Sequence, residues 1–176
     1  MQFFKTLSIL FISTLLACSA YTAESSSKSK SVGDGGRDDF SYLKAKNSNF
    51  KKGKDAIKKA KKFSKKGKKE KSISRFNDAV KYLVLSNKEN PGNPDILNLL
   101  GFSYRKSGDF MMAEIYYKQG LEIDPNHIGI NEYLGELYVQ TGRIDEAKTR
   151  LKVLENCKCK EFEELKSVID SGKTKY

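Results

Sequence analysis

The 176-residue sequence has no tryptophan, three cysteines and a single histidine, His127. A structural zinc site usually takes four cysteine or histidine ligands, and the few present here lack the spacing of such a set. The sequence also has no glycine-rich phosphate loop and no nucleophile beside a plausible base. These absences argue against metal, nucleotide and nucleophile chemistry. We therefore expect a protein that is not an enzyme and that binds no metal and no cofactor.

The N-terminal apolar run is too short to cross a bilayer as a helix, which takes about 20 residues. It occupies residues 7–17 and follows Lys5, the only charged residue before it. A short apolar core after a positive charge is typical of a signal peptide. The sequence therefore predicts a signal peptide at residues 1–17 and export to the periplasm.

The end of this run resembles the lipobox of bacterial lipoproteins, because Leu-Leu-Ala stands directly before Cys18. The resemblance implies lipidation of Cys18 and attachment to a membrane. By analogy with enteric bacteria, Ser19 in the next position favours the outer membrane. Two alternatives stay open. One is an ordinary signal cleaved after Ser19, Ala20 or Ala23, and the other is a retained membrane anchor.

Residues 18–43 contain mostly Ser, Gly, Lys and Asp and few apolar side chains. Such a composition cannot bury a core, and it is typical of a flexible linker. We expect this segment to be a tether between the N-terminus and the folded part of the chain.

A repeat with a period of 34 residues occupies the middle of the chain. Leu100-Gly101 returns as Leu134-Gly135, and Ala113 has counterparts 34 residues away on both sides, at positions 79 and 147. A fixed period of this length indicates an array of stacked helix pairs.

Local signals mark the helices of one repeat. Asn93 is a favourable N-cap, and Pro94 suits the first helical turn. Ser107, Gly108 and Asp109 interrupt the apolar helical spacing, and Pro125 ends the second helix. Each repeat is thus expected to be a helix, a short turn and a second helix.

The residues at these positions resemble the tetratricopeptide repeat. With Pro94 as position one, the family's pattern falls on Leu100, Gly101, Tyr104, Ala113, Tyr117 and Pro125. The resemblance implies an all-α fold, a tetratricopeptide-repeat α-solenoid of about three helix pairs. The repeats would cover residues 72–159, and a capping helix and tail would follow at 160–176. Gly101 and Gly135 would lie against the second helix of their own repeat.

In that family the first helix of each repeat lines a concave groove that holds a peptide or protein. The resemblance therefore assigns a partner-binding groove to Asn98, Leu99, Phe102, Arg105, Lys106, Glu132, Tyr133 and Glu136. The lysine and asparagine pattern that clamps a terminal carboxylate in chaperone-binding members is missing. We expect Leu99, Phe102 and Tyr133 to be exposed anchors, and Glu132 and Glu136 to face a basic residue of the partner.

Residues 44–71 hold fourteen lysines and two carboxylates, Asp55 and Glu70, while the net charge of the whole chain is +11. The apolar residues have helical spacing, so an amphipathic helix is expected, as the first helix of a degenerate first repeat. A strict 34-residue offset would place Lys66 and Glu70 in core positions. We therefore expect residues 65–73 to form a lengthened loop and the buried set to be Ala56, Ala60 and Phe63.

The lysines of this helix form a candidate basic patch, made of Lys51, Lys52, Lys58, Lys59, Lys61, Lys62, Lys65 and Lys66. Such a face attracts anionic partners, although a lysine face can also simply be solvated. A phospholipid surface, an acidic protein or an anionic cell-wall polymer would fit an exported protein, and nucleic acid is the least expected partner.

Cys157 and Cys159 are an even pair in an oxidising compartment if the chain is exported. A disulfide, two free thiols, and metal or redox chemistry all remain open for them. The apolar spacing after this pair predicts the capping helix.

Two functions of different class remain open. The first is a non-enzymatic scaffold of the bacterial cell envelope that binds a peptide or protein in the groove. The second is an envelope structural protein that binds anionic lipid or cell-wall polymer through residues 44–71.

Overall fold

The computed structural model describes residues 38–174, with side chains described from residue 48 onward. Within this range the chain forms seven α-helices and no strand. They are α1 (Asp38–Lys65), α2 (Lys69–Glu89), α3 (Pro94–Ser107), α4 (Phe110–Ile123), α5 (Ile128–Gln140), α6 (Ile144–Leu154) and α7 (Lys160–Ser171). The predicted all-α array of helix pairs is confirmed.

The helices pack in sequential pairs. The most extensive contacts join α1 to α2, α3 to α4 and α5 to α6, and α7 packs on α5 and α6. Short turns between consecutive helices make each pair antiparallel. Because each pair mainly contacts its neighbours, the apolar surface is buried as one continuous stack.

The ends of α3 and α4 follow from the local signals. The Asn93 side chain accepts hydrogen bonds from the backbone N–H groups of Asp95 and Ile96, at 2.9 and 3.2 Å. Gly108 ends α3 with φ at 98°, a left-handed conformation that glycine adopts without steric cost. Asp109 then caps α4 by accepting from Met112 N–H at 3.0 Å.

His127 has a structural role at the start of α5. Its Nδ1 accepts a hydrogen bond from the backbone N–H of Ile130 at 3.1 Å. The ring satisfies a donor that the helix leaves unpaired. The histidine is therefore a helix cap in an inter-repeat turn.

The 34-residue period is visible in the burial of alanine. Ala79, Ala113 and Ala147 are each 0% exposed, in the second helices of the three pairs. Their small side chains let the two helices of a pair approach closely.

The first pair departs from the period. Between the left-handed turn glycines, Gly67 to Gly108 is 41 residues, and Gly108 to Gly142 is 34. The difference of seven residues matches the difference between α2, with 21 residues, and α4, with 14. Seven residues are about two helical turns, so the apolar face of α2 stays in phase.

The expected loop at 65–73 is therefore wrong. The turn between α1 and α2 occupies residues 66–68, and the additional residues lengthen α2. The expected buried set holds for Ala56 and Ala60, at 7% and 0% exposed. Phe63 is only half-buried.

The predicted glycine contacts are confirmed for one repeat and wrong for the other. A Cβ on Gly101 would lie 2.5 Å from the ring of Tyr117 in α4, the second helix of its own repeat. A Cβ on Gly135 would instead meet Leu165 of α7 at 2.6 Å. Leu165 is 0% exposed. Through this contact the capping helix α7 packs closely against the last repeat.

The N-terminal predictions lie outside the described residues, namely the signal peptide, lipidation at Cys18 and most of the tether. Residues 38–43, assigned to the tether from the sequence, belong to α1. None of the described helices combines the length and apolar composition that a membrane span requires.

The contact between Gly101 and Tyr117 gives a stability prediction. Gly101→Ala should lower the free energy of unfolding by about 1–3 kcal/mol, because the fully buried Tyr117 ring has no free space to move into. Gly129→Ala in the first turn of α5 is the matched control. Its Cβ would meet the terminal amide of Asn98 at 2.7 Å, the far end of a flexible side chain, and would be in ordinary contact with His127 at 3.6 Å. Chemical denaturation of both variants measures the difference, and equal stabilities would contradict the close packing.

Candidate functional site

The predicted groove residues come together on two neighbouring helices. Asn98, Leu99, Phe102, Arg105 and Lys106 lie on α3, and the other three lie on α5. The rings of Phe102 and Tyr133 pack with centroids 5.0 Å apart, which joins the two halves of the set.

Phe102 is a core residue and cannot be an exposed anchor. It is 1% exposed, and its ring meets Phe76 edge-on at 5.7 Å. The ammonium group of Lys61 in α1 lies 4.6 Å from the ring centroid and covers its remaining face. The expectation of direct partner contact is wrong because α1 and α2 pack over this ring.

Arg105 and Glu136 form an ion pair inside the protein. Nη2 of Arg105 lies 2.7 Å from Oε2 of Glu136, and the two side chains are 0% and 3% exposed. Nη1 of Arg105 also donates to Oε1 of Gln140 at 3.0 Å. Neither charge is available to a partner, so the expected roles of Arg105 and Glu136 at the groove surface are corrected.

Glu132 is also buried, at 3% exposed. Burial raises the pKa of its carboxyl far above the ordinary value, as do its hydrogen bond to Glu164 of α7 and the nearby Glu136 and Glu161. At neutral pH Glu132 therefore tends to keep its proton. The expectation that it faces a basic residue of a partner is wrong, because α7 covers it.

Four of the predicted groove residues keep part of their surface accessible: Asn98, Leu99, Lys106 and Tyr133. Burial and the neighbouring Arg105 lower the pKa of Lys106 to about 7. Leu99 and Tyr133 occupy the same position in successive repeats, and both pack at the edge of the same core cluster as Phe102.

The 41-residue offset of the first pair identifies the part of α1 that belongs to the same face. With this offset, Ile57 is the repeat equivalent of Asn98, Lys58 is that of Leu99, and Lys61 is that of Phe102. The contact between Lys61 and the Phe102 ring agrees with this register. The concave face of the first repeat is therefore formed by the lysine-rich helix.

A cleft of about 600 Å³ lies along this face of α1. It is lined by Lys54, Ile57, Lys58, Lys61, Lys62, Lys65 and Lys66. All of the lysines predicted in the basic patch are exposed except Lys61, which is half-buried. Lys51, Lys52 and Lys59 do not line the cleft. Lys51 is three residues before Lys54 and continues the same helix face, while Lys52 and Lys59 lie farther around the helix.

Cys157 and Cys159 are joined by a disulfide directly before α7. Lys158 between them has a φ of 50°, which is uncommon for a residue other than glycine. Residues 48–174 contain no cluster of three or more His, Cys, Asp or Glu side chains that could hold a metal ion.

Two features of the site were missed from the sequence. The Arg105–Glu136 pair had a signal, because residues of opposite charge occupy inward positions on the first helices of successive repeats. The lysines of α1 were recognised as basic but not as groove residues. The expected buried set already agreed with the observed register at Ala56 and Ala60, but groove positions were assigned only to the two later repeats. The repeated turn glycine, Gly67, would have given the correct offset.

The buried Glu132 gives a pH prediction. Its raised pKa means that the folded chain holds a proton that the unfolded chain releases above about 4.5. This contribution to stability is fully present below that pH and is lost as the pH rises through neutral. Glu132→Gln, which mimics the protonated form, should therefore gain stability relative to the unmodified protein as the pH is raised from 5 to about 8.

Thermal unfolding across this pH range measures the effect. Glu163→Gln on the exposed side of α7 is the control, and its difference from the unmodified protein should stay nearly constant. A Glu132→Gln difference that does not grow with pH would show that Glu132 is ionised in the fold.

Residues 94–127 match the family described as Tetratricopeptide repeat. This range covers α3 and α4, the pair in which every expected helix end was found. No curated protein matches the sequence.

Three solved structures resemble the described fold at low sequence identity. The type III secretion translocator chaperone SycD of Yersinia enterocolitica is 17% identical, with a TM-score of 0.50 over 68% of this chain and 81% of that chain. The TPR domain of Arabidopsis OM64 is 15% identical, with a TM-score of 0.46 over 70% and 98% of the two chains.

The second TPR domain of human RPAP3, solved with an HSP70 peptide, is 20% identical. Its TM-score is 0.49, over 72% of this chain and 98% of that chain. At these identities the SycD likeness establishes the fold alone, and the two lower scores carry no further argument.

Proposed function

We propose that this tetratricopeptide-repeat protein is a non-enzymatic scaffold that binds a peptide or protein segment along the first helices of its repeats. The observation that carries the proposal is the pair Leu99 and Tyr133. They stand at equivalent positions of successive repeats and keep part of their surface accessible. Aromatic side chains in such positions often supply much of the binding energy at interfaces.

Fewer groove residues are accessible to a partner than the sequence suggested. Phe102, Arg105, Glu132 and Glu136 support the surface from below, and the partner contacts the residues above them. The Yersinia protein of the same fold is a secretion translocator chaperone. We carry over from it only the general expectation of a protein partner.

The cell envelope is the compartment that we propose for this scaffold. The support is the sequence of residues 1–18, with its apolar core and the lipobox-like residues before Cys18. Lipidation of Cys18 would attach the protein to a membrane on the periplasmic side, with the outer membrane favoured.

A second candidate function is binding of anionic lipid or cell-wall polymer through residues 44–71. The observation that favours it is the exposure of Lys52 and Lys59, which are seven residues apart on α1 and lie outside the cleft. The two functions are compatible, because these two lysines do not belong to the cleft.

The groove proposal predicts that binding depends on the two accessible anchors. In crosslinking and pull-down from the native envelope, Leu99→Ala and Tyr133→Ala should each weaken capture of the same partner by about 1 kcal/mol or more. Met111→Ala on α4 is the control, since Met111 is 71% exposed on the second helix of a repeat. Circular dichroism verifies that the variants stay folded.

If the groove variants capture the partner as well as the unmodified protein, the groove proposal fails. A chain that begins near residue 72 is not a suitable test. Removing α1 would expose Phe76, Ala79 and Leu83, which are 4%, 0% and 0% exposed in the complete first pair.

The compartment proposal predicts a lipidated N-terminus at Cys18. Mass spectrometry of the mature protein from its native host should find Cys18 as the first residue, with a mass increase that corresponds to acyl groups. An unmodified terminus at Ala20, Tyr21 or Glu24 would contradict lipidation and leave an exported soluble protein. An intact Met1 would contradict export by a cleaved signal.

A further inference from the structure

We propose that the segment bound in the groove is acidic, and that its carboxylates lie on the lysine stripe formed by Lys54, Lys58, Lys61 and Lys65 of α1. This inference rests on the proposed function and names the chemistry of the partner. It is drawn from the placement of charge on the described helices, as follows.

The four lysines form one line along α1. They are separated by four, three and four residues, the spacing that places side chains on the same face of a helix. At a rise of 1.5 Å per residue the stripe is about 16 Å long. That length matches about three turns of a bound helix or about five residues of an extended peptide.

The stripe belongs to the concave face and not to the outer surface. Lys61 lies over the ring of Phe102, which also packs against Tyr133 of α5. The pKa of Lys61 is lowered mainly by burial, and its charged neighbours include Glu132 and Glu136 of α5 and Lys160 of α7. Because the Lys61 ammonium group interacts electrostatically with charged groups of both α5 and α7, it lies within the helix array.

Three of the four stripe lysines, Lys54, Lys58 and Lys65, form no ion pair with a carboxylate of residues 48–174. Like charges three or four residues apart on a helix repel each other. An acidic partner would remove this repulsion on binding.

Carboxylates lie on the opposite side of the concave face. Glu163 and Glu164 of α7 line a second cleft, together with Lys173 and with Glu136, whose charge is paired with Arg105. An acidic segment would be attracted to α1 and repelled from α7, so the charges fix its position as well as its affinity.

A protein segment fits this site better than a membrane surface does. Ile57 lines the lysine cleft and is 6% exposed. Leu99 and Tyr133 are the accessible apolar groups on the same face. A peptide is narrow enough to lie along α1 on the concave face, and its apolar side chains can lie between its carboxylates. A lipid bilayer would meet the outer lysines first.

A designed peptide tests the inference directly. The probe is a fluorescent, C-terminally amidated peptide of about 15 residues of Glu, Leu and Ala, with glutamates three or four positions apart so that they span the stripe. The amide removes the terminal carboxylate. A peptide with Lys in place of Glu is the charge control, and fluorescence anisotropy with the full chain measures both affinities.

The variants compare two equal changes of charge. Lys58→Gln with Lys65→Gln should weaken binding of the acidic peptide by about fivefold, the loss expected for two exposed ion pairs. Lys68→Gln with Lys71→Gln removes the same charge from exposed residues of the same segment outside the stripe. That pair should change the affinity by less than about twofold.

Three outcomes would overturn the inference. Equal weakening by both pairs would indicate a general charge effect, and equal binding of the lysine peptide would exclude charge recognition. Binding to phosphatidylglycerol vesicles without binding to the acidic peptide would assign the lysines to a membrane surface.

Failure here can be distinguished from failure of the proposed function. If Leu99→Ala and Tyr133→Ala reduce capture of the native partner while the Lys58/Lys65 pair does not, the groove binds a partner of other chemistry. In that case the scaffold proposal stands and the acidic segment is rejected.

Discussion

The buried ion pair between Arg105 and Glu136 is the constraint on which the concave face depends. It joins α3 to α5 at 2.7 Å with almost no solvent exposure. A buried pair is not necessarily more stable than apolar residues in its place, but loss of one partner leaves an uncompensated charge. The pair therefore fixes how the first helices of two repeats lie together. Because both side chains of the pair are buried at the centre of this face, only the residues beside them remain accessible to a partner.

Much of the architecture could be predicted because its signals are local. The caps at Asn93 and Asp109 and the turn at Gly108 each act within a few residues. The buried alanine of each repeat reflects packing within its own helix pair, since each pair in a repeat array contacts mainly its neighbours. For this reason a sequence pattern of 34 residues was sufficient to predict the helix pairs and the capping helix.

The groove was harder to predict, because exposure depends on which helices cover a residue. Phe102 occupies a position that the repeat pattern assigns to the partner-binding groove, yet Phe76 and Lys61 cover its ring here. The seven additional residues of the first repeat are compatible with helical periodicity, so they left the apolar spacing of α2 intact. Lys66 and Glu70, which a strict 34-residue offset would bury, show that this offset fails in the first repeat. The apolar spacing did not show that the additional residues belong to α2, and the turn glycines record the change from 34 to 41 residues.

The corrected offset changes the meaning of the basic segment. The sequence analysis placed these lysines on the first helix of a degenerate first repeat, but as a solvated or anion-binding surface without a role in the groove. In the observed structure Lys54, Lys58, Lys61 and Lys65 occupy the concave face of the first repeat, while Glu163 and Glu164 line a second cleft at α7. A solvated helix face has no need to place one sign of charge toward the groove and the other sign across from it. The separation of charge across a single concave surface therefore favours recognition of an oriented, acidic partner over solubility alone.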